Sequence, residues 1–347
     1  MPFSDFLKSH LAAYPDMEPQ DILKLCYQAA RGAEHLLTDL AAAKRYFDAE
    51  FQSVAPVSRP LVQPICREFC RVDLGAWKAQ GLPAEWLFRA FVLTASEKTG
   101  EDRLPDFLAQ ADDVMEEILT SEARKRWNAE LLSYQKLGTP PVHHSPAYRA
   151  AYAPSYRVIR ARIVRLFPIL EAAARHKEAA PLIIAIDGRA ASGKTTSARD
   201  LAEILGGSLV HMDDFFLPFG LRSAERMAEV GGNLHRERFA EEVLPYLSST
   251  APFEYGIFDC SVGDVTSNRR VEARPVRIVE GSYAHHPAFG DYAHVKAFAT
   301  VDPDEQMRRI VARNGERMAE RFRTEWIPAE EAYFSAFHIP QNAHVLI

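Results

Sequence analysis

The stretch Pro181-Leu-Ile-Ile-Ala-Ile-Asp-Gly-Arg-Ala-Ala-Ser-Gly-Lys-Thr-Thr196 decides how this chain is read. It opens as an apolar run rich in β-branched residues, the composition of a strand buried on both faces. It then breaks into Gly188-x-x-x-x-Gly193-Lys194-Thr195, the spacing of a phosphate-binding loop. The two glycines let the backbone turn tightly and approach an anion. Amides of the loop and of the helix that follows then point inward, where the helix dipole favours negative charge. Gly188, Ala191, Ser192, Gly193, Lys194, Thr195 and Thr196 are therefore the expected nucleotide contacts. Lys194 is placed for the β- and γ-phosphates, the Thr195 hydroxyl for Mg²⁺, and Thr196 for the α-phosphate. A plain strand-to-helix turn with a solvated lysine is the competing reading. A strand before the motif and a helix from Thr195 to Leu205, ending at Gly206-Gly207, supply the context that favours nucleotide binding.

Outward from this loop, residues 181 to 347 alternate strand and helix, which predicts a parallel sheet with crossover helices. The expected elements are a strand at Ser208–Met212, a helix at Phe239–Leu247, and strands at Val276–Glu280 and Val295–Val301. A long helix from Pro303 to Arg323, a shorter one from Pro328 to Phe337 and a closing strand at Ala343–Ile347 complete the set. Residues 1 to 138 read as an all-α domain, with only five of the chain's 17 glycines. Helices are expected from Pro19, from about Glu34 to Phe51 (apolar stripe Leu36, Leu37, Leu40, Tyr46, Phe47), from Pro83, and from a Ser121 cap to Lys136. Residues 139 to 180 read as a Pro- and Tyr-rich linker followed by a helix from about Tyr156 to His176. Its His143, His144, Tyr148 and Arg157 are either packing residues or a border of the active site.

Length suits two domains, and 47% hydrophobic with 25% charged residues describes a soluble globular protein. A net charge of −6 without a dense basic run argues against nucleic acid as the main partner. The four cysteines fit reduced thiols better than zinc ligands or disulfides. No apolar stretch has the length of a membrane helix and no signal peptide is recognisable, so no membrane partner and a cytoplasmic location are expected. A homo-oligomer is left open.

Asp213-Asp214 directly follows the second strand, where a carboxylate can accept the proton of an attacking hydroxyl; spacing does not say which of the two does so. Glu280 ends an apolar strand, the place for a group that completes a metal's surroundings beside Thr195. Arg308, Arg309 and Arg313 lie on one helix, either as a solvated face or aimed at transferring phosphate.

Together, Gly188–Thr195, Asp213-Asp-Phe-Phe, Ile278-Val-Glu-Gly281 and Arg308-Arg-Ile-Val-Ala-Arg313 resemble, in that order, the uridine kinase-like family, which includes phosphoribulokinase and P-loop pantothenate kinases. The resemblance spans roughly residues 181 to 325. It implies that Asp213 is the catalytic carboxylate and that Arg309 and Arg313 are lid arginines. It also implies that Gly232–Phe239 and Phe253–Cys260 frame the acceptor. Two positions depart from the family: His235 stands where uridine kinases place an aspartate, and Tyr255 with Asp259-Cys260 lacks the family's nearby histidine. The expectation is an ATP- and Mg²⁺-dependent small-molecule kinase acting on a nucleoside or another ribose- or polyol-like hydroxyl. Asp214, His235, Tyr255 and Asp259 are the candidates for recognising that acceptor. The alternative is a nucleotide-controlled switch whose helical domain binds a protein.

Overall fold

The computed structural model describes every residue except Thr38, Glu101 and Lys177. The chain divides into two compact units, Met1–Val164 and Arg165–Ile347, a division that falls within the stretch 139–180 read as linker and connecting helix.

The amino-terminal unit is mostly helical. Pro19–Arg31 begins with proline in its first turn and a reciprocal cap between Glu18 and Asp21, and it ends at Gly32, whose φ of 53° only glycine adopts easily. Leu104–Ile118 and Ser121–Lys136 pack beside it, the latter capped by Thr120 rather than Ser121. The expected helix from Glu34 is a single turn, Glu34–Leu36, followed by Leu40–Ser53. Of its proposed stripe only Phe47 is buried, while Leu36, Leu40 and Tyr46 are exposed.

This unit is not purely helical. Val62–Pro64, Phe69–Asp73 and Tyr156–Arg160 form an antiparallel sheet. The helix expected from Tyr156 to His176 is therefore a strand followed by the short helices Ala161–Val164 and Phe167–Ala174. Apolar Val158 and Ile159 satisfied either reading, and pairing with a strand more than eighty residues earlier decided it. His144 and Tyr148 stack within this unit, and His144 bridges buried Asp21 and the Tyr156 hydroxyl at 2.8 and 2.6 Å. Arg157 pairs with Glu50 at 2.8 Å. All four linker residues in question belong to Met1–Val164, and three of them hold its interior together.

In the carboxy-terminal unit, β1 is Leu182–Gly188, α1 Lys194–Leu205, β2 Gly207–His211 and α2 Arg236–Glu242. A hairpin follows, β3 Phe253–Asp259 and β4 Asp264–Val271. Then come β5 Val276–Glu280, β6 Val295–Ala299, α3 Pro303–Asn314, α4 Ile327–Ala336 and β7 Val345–Leu346. Five strands pair in parallel in the order β7-β6-β1-β5-β2. Every residue of β1 is buried, as its unbroken apolar run requires at the centre of a sheet covered on both faces. From β1 the chain first builds toward β2 and β5, then crosses to β6 and β7. The carboxyl end of β1 is thus the point where the order reverses and ligands of open α/β sheets bind.

The single helix expected over Pro303–Arg323 is broken. It stops at Gly315, with φ of 76°, resumes as Glu316–Arg321 and passes through a wide turn at Phe322–Trp326 before α4. Among the described residues no helix is long and apolar enough to cross a membrane.

Candidate active site

The loop after β1 is held open by its glycines. Gly188 has φ of 140°, and a Cβ there would meet the Ala299 carbonyl oxygen of β6 at 2.0 Å. Gly193 opens α1 with φ of 96° and has nothing within 4 Å of where a Cβ would stand. No side chain caps the first amides of α1. Lys194 folds back over the loop, its Nζ donating to the carbonyls of Gly188 (2.6 Å) and Arg189 (2.9 Å). The Ser192 Oγ is buried without a partner among the described residues, and Thr196 is exposed on the first turn of α1.

The loop backbone is braced from behind. Fully buried Asp187 accepts from the amides of Gly188 (2.7 Å) and His285 (2.9 Å) and from the Tyr333 hydroxyl (2.8 Å). Glu330 of α4 accepts from the Ala190 amide at 2.9 Å and the Ser282 hydroxyl at 2.6 Å; burial raises its pKa above the ordinary glutamate range. Gln306 and Arg309 of α3 donate to the carbonyls of Ala190 (3.0 Å) and Ala191 (3.1 Å). Arg309 is thus brought to the loop. Arg313 is not: it is exposed and bonds Asn314 at 2.8 Å. Arg308 pairs with Glu305 at 2.6 Å. A cavity of about 470 Å³, lined by Arg165, Thr300, Val301, Asp302, Glu305 and Arg309, opens next to these residues.

On the other side of β1, the strand β5 delivers Glu280 to Thr195. The Thr195 hydroxyl donates to the two carboxylate oxygens at 3.1 and 3.3 Å. Glu280 also meets His211 Nδ1 at 2.6 Å, because His211 and Glu280 are directly paired between β2 and β5. Sequence spacing could not reveal His211, since its partner is identified only by strand register. Among the described residues no cluster of three or more His, Cys, Asp or Glu side chains could hold a metal by itself. A cation here would rest on Thr195, Glu280 and the phosphates it accompanies.

Directly after β2, the turn Met212–Phe215 separates the two aspartates. Asp213 keeps part of its surface open to solvent while neighbouring protein atoms crowd its carboxylate. Lost hydration raises its pKa above the ordinary aspartate value, with Glu280 and Asp214 adding to the rise and Lys194 opposing it. Asp214 is turned inward, accepting from the Tyr255 hydroxyl at 3.0 Å and Arg269 Nε at 2.9 Å.

The residues expected to recognise the acceptor each have partners within the protein. Asp214 is the buried centre of an internal ion pair. Tyr255 is fully buried, its hydroxyl spanning the His211 amide (3.1 Å) and Asp214, so it tethers the hairpin to the end of β2. His235 caps α2, its Nδ1 accepting from the Arg238 amide at 3.3 Å. Asp259 closes the hairpin turn by accepting from the Ser261 amide and hydroxyl at 2.7 and 2.6 Å. These bonds engage one carboxylate oxygen of Asp214, one of Asp259 and one ring nitrogen of His235.

No family model matches the chain. Among solved structures, a "possible uridine kinase" from Bacillus stearothermophilus is similar at 17% identity and a TM-score of 0.42, covering 53% of this chain and 97% of its own. A "putative fructose transport system kinase" from Silicibacter sp. TM1040 is similar at 20% identity and a TM-score of 0.45, covering 54% of this chain and 98% of its own. Likenesses this distant leave the reading of the site to its own geometry.

Proposed function

We propose that this protein is an ATP- and Mg²⁺-dependent phosphotransferase acting on a hydroxyl of a small molecule, a nucleoside or another ribose- or polyol-like compound. One observation carries the reading. At the carboxyl ends of three adjacent strands, β1, β5 and β2, lie a glycine loop with its lysine, a threonine–glutamate pair and one residue partly open to solvent, Asp213. The residues fit a magnesium nucleotide: the Ser192 hydroxyl lacks a partner among the described residues, the space at Gly193 is open, and Thr195 and Glu280 offer the hard oxygens that Mg²⁺ selects.

In this mechanism Lys194 exchanges the carbonyls of Gly188 and Arg189 for phosphate oxygens, and the amides opening α1 bind the same anion. His211 keeps the Glu280 carboxylate turned toward Thr195. Asp213 accepts the proton of the attacking hydroxyl; its raised pKa makes it a better base than an ordinary aspartate at neutral pH. Arg309, already at the Ala191 carbonyl, supplies positive charge to the transferring group. The cavity at Thr300–Asp302 receives the rest of the nucleotide. Bound Mg²⁺ supplies neutralisation of the phosphate charge. Neither nucleic acid nor membrane enters this reading.

Lys194→Ala tests it. The variant should keep its melting temperature, because the lysine bonds only loop carbonyls, and should lose phosphoryl transfer by about 10²–10³-fold. Undiminished turnover would sink the proposal.

A further inference from the structure

With Tyr255, Asp214 and Asp259 committed internally, the side of Asp213 that faces the hairpin presents a different set of groups. Phe216 and Phe219 each meet Phe258 edge-on at 6.2 Å, and the Phe219 amide donates to the Gly263 carbonyl at 2.9 Å. On this aromatic surface lies Arg222, its guanidinium 4.5 Å from the Phe219 ring centre and 5.9 Å from that of Phe258. Its Nε donates to the Leu217 carbonyl at 2.8 Å. Among the described residues, no acceptor meets its two terminal nitrogens. The Cys260 thiol feels the charges of both Asp213 and Arg222, and burial and Asp213 raise its pKa while Arg222 opposes the rise.

The neighbouring arginines differ. Arg226 pairs with Glu237, Arg236 with Glu229, Arg238 with Glu242 and Arg269 with Asp214. Arg222 has no carboxylate partner among the described residues. Its surroundings strip away part of its hydration, which lowers its pKa from the ordinary arginine value. An exposed guanidinium without a carboxylate partner among the described residues, steadied on aromatic rings, offers a planar fork of donors suited to carboxylate or phosphate. Arg222 is exposed, so simple packing on a ring with its terminal nitrogens in water is the competing explanation that the test below must exclude.

We infer that the acceptor carries an anionic group, a phosphate or a carboxylate, which Arg222 receives while Asp213 faces the acceptor's hydroxyl. This rests on the phosphotransferase reading and narrows it from neutral nucleosides and polyols to their acidic counterparts.

Cys260 provides a reporter, because it is exposed while Cys26, Cys66 and Cys70 are buried. With the nucleotide site filled by a non-hydrolysable ATP analogue and Mg²⁺, alkylation of Cys260 by N-ethylmaleimide is followed at pH 8. Matched probes are then added: glycerol against glycerol phosphate and glycerate, ribose against ribose 5-phosphate, and inorganic phosphate alone. Transfer from ATP to the same compounds is measured in parallel. The anionic member of each pair should slow alkylation and be preferred in kcat/KM by about ten- to hundredfold, the value of one charge-assisted contact. Arg222→Gln should erase both effects, chiefly through KM, and Arg222→Lys should restore part of the preference. Phosphate and carboxylate probes that differ in protection identify which anion is meant.

If neutral members protect and react as well as the charged ones, and Arg222→Gln changes neither, this inference fails while the kinase reading stands. If phosphate shields Cys260 through Arg222 yet no compound receives a phosphoryl group, the anion site stands and the phosphotransferase reading fails.

Discussion

On the loop side of Asp213, backbone groups are left open and the scaffold behind them is closed. The amides that begin α1 have no side-chain cap, whereas Asp187, Glu330, Gln306 and Arg309 fasten the loop from the rear. On the hairpin side the arrangement is inverted. There Asp214, Tyr255, Arg269 and Asp259 each have partners within the protein, and aromatic rings carry Arg222, which has no carboxylate partner among the described residues. The difference shows two ways of preparing a surface for a ligand. Under the proposed function a phosphate is met by main-chain donors whose direction must be rigid, which gives the buried carboxylates behind the loop a role. An acceptor is met by side chains, and those have to be left over after the hairpin has been pinned in place.

The contrast can be broken most forcefully at Asp213, which stands where the two sides meet. Asp213→Asn should lower kcat by about 10²–10⁴-fold while nucleotide affinity, measured by calorimetry, stays unchanged. It should also remove a pH effect. The raised Asp213 pKa moves the acid limb of the rate profile above the ordinary aspartate value of about 3.9. Between those two values the folded protein keeps a proton that the unfolded chain has lost, so stability falls as pH rises through that window. Denaturation at several pH values should show this slope in the parent and not in Asp213→Asn.

A smaller effect sharpens the loop side. His211→Ala should weaken Mn²⁺ binding, read by electron paramagnetic resonance in the presence of nucleotide, by about 10–100-fold, because Glu280 loses the ring that orients it. His211→Gln should recover part of the affinity. Unchanged binding in His211→Ala would make the histidine a mere neighbour.

The smallest effect on catalysis belongs to the hairpin side. Tyr255→Phe leaves the His211 amide and the Asp214 carboxylate each short of one bond, at a cost of roughly 1–3 kcal/mol in stability. Acceptor KM should change less than about threefold, within the modest energies of groups outside the binding surface. A large rise in KM with unchanged stability would return Tyr255 to the acceptor pocket and undo the comparison.

The loop side was legible in advance because its signal is local. Glycine spacing, the lysine and the threonine lie within one turn of chain, and an unbroken apolar run can be only a covered strand. Glu280 was readable for the same reason, ending such a run. His211 was not, because it matters only through its register opposite Glu280. The hairpin was missed as structure since β4 is almost wholly exposed and carries no apolar alternation. Tyr255 and Asp214 looked available because sequence does not record that each would take the other as its partner. The Tyr156–Arg160 strand escaped for a related reason: its apolar residues fit a helix until Phe69–Asp73 pairs with them.

The most direct test of the account is ³¹P nuclear magnetic resonance of the full-length protein with ATP, Mg²⁺ and a panel of neutral and acidic hydroxyl compounds. The account predicts a new phosphate-ester resonance with at least one compound, formed with ADP in equal amount and absent in Asp213→Asn. Hydrolysis to inorganic phosphate alone, unaffected by every compound and stimulated only when a protein partner is added, would contradict it and favour a nucleotide-controlled switch.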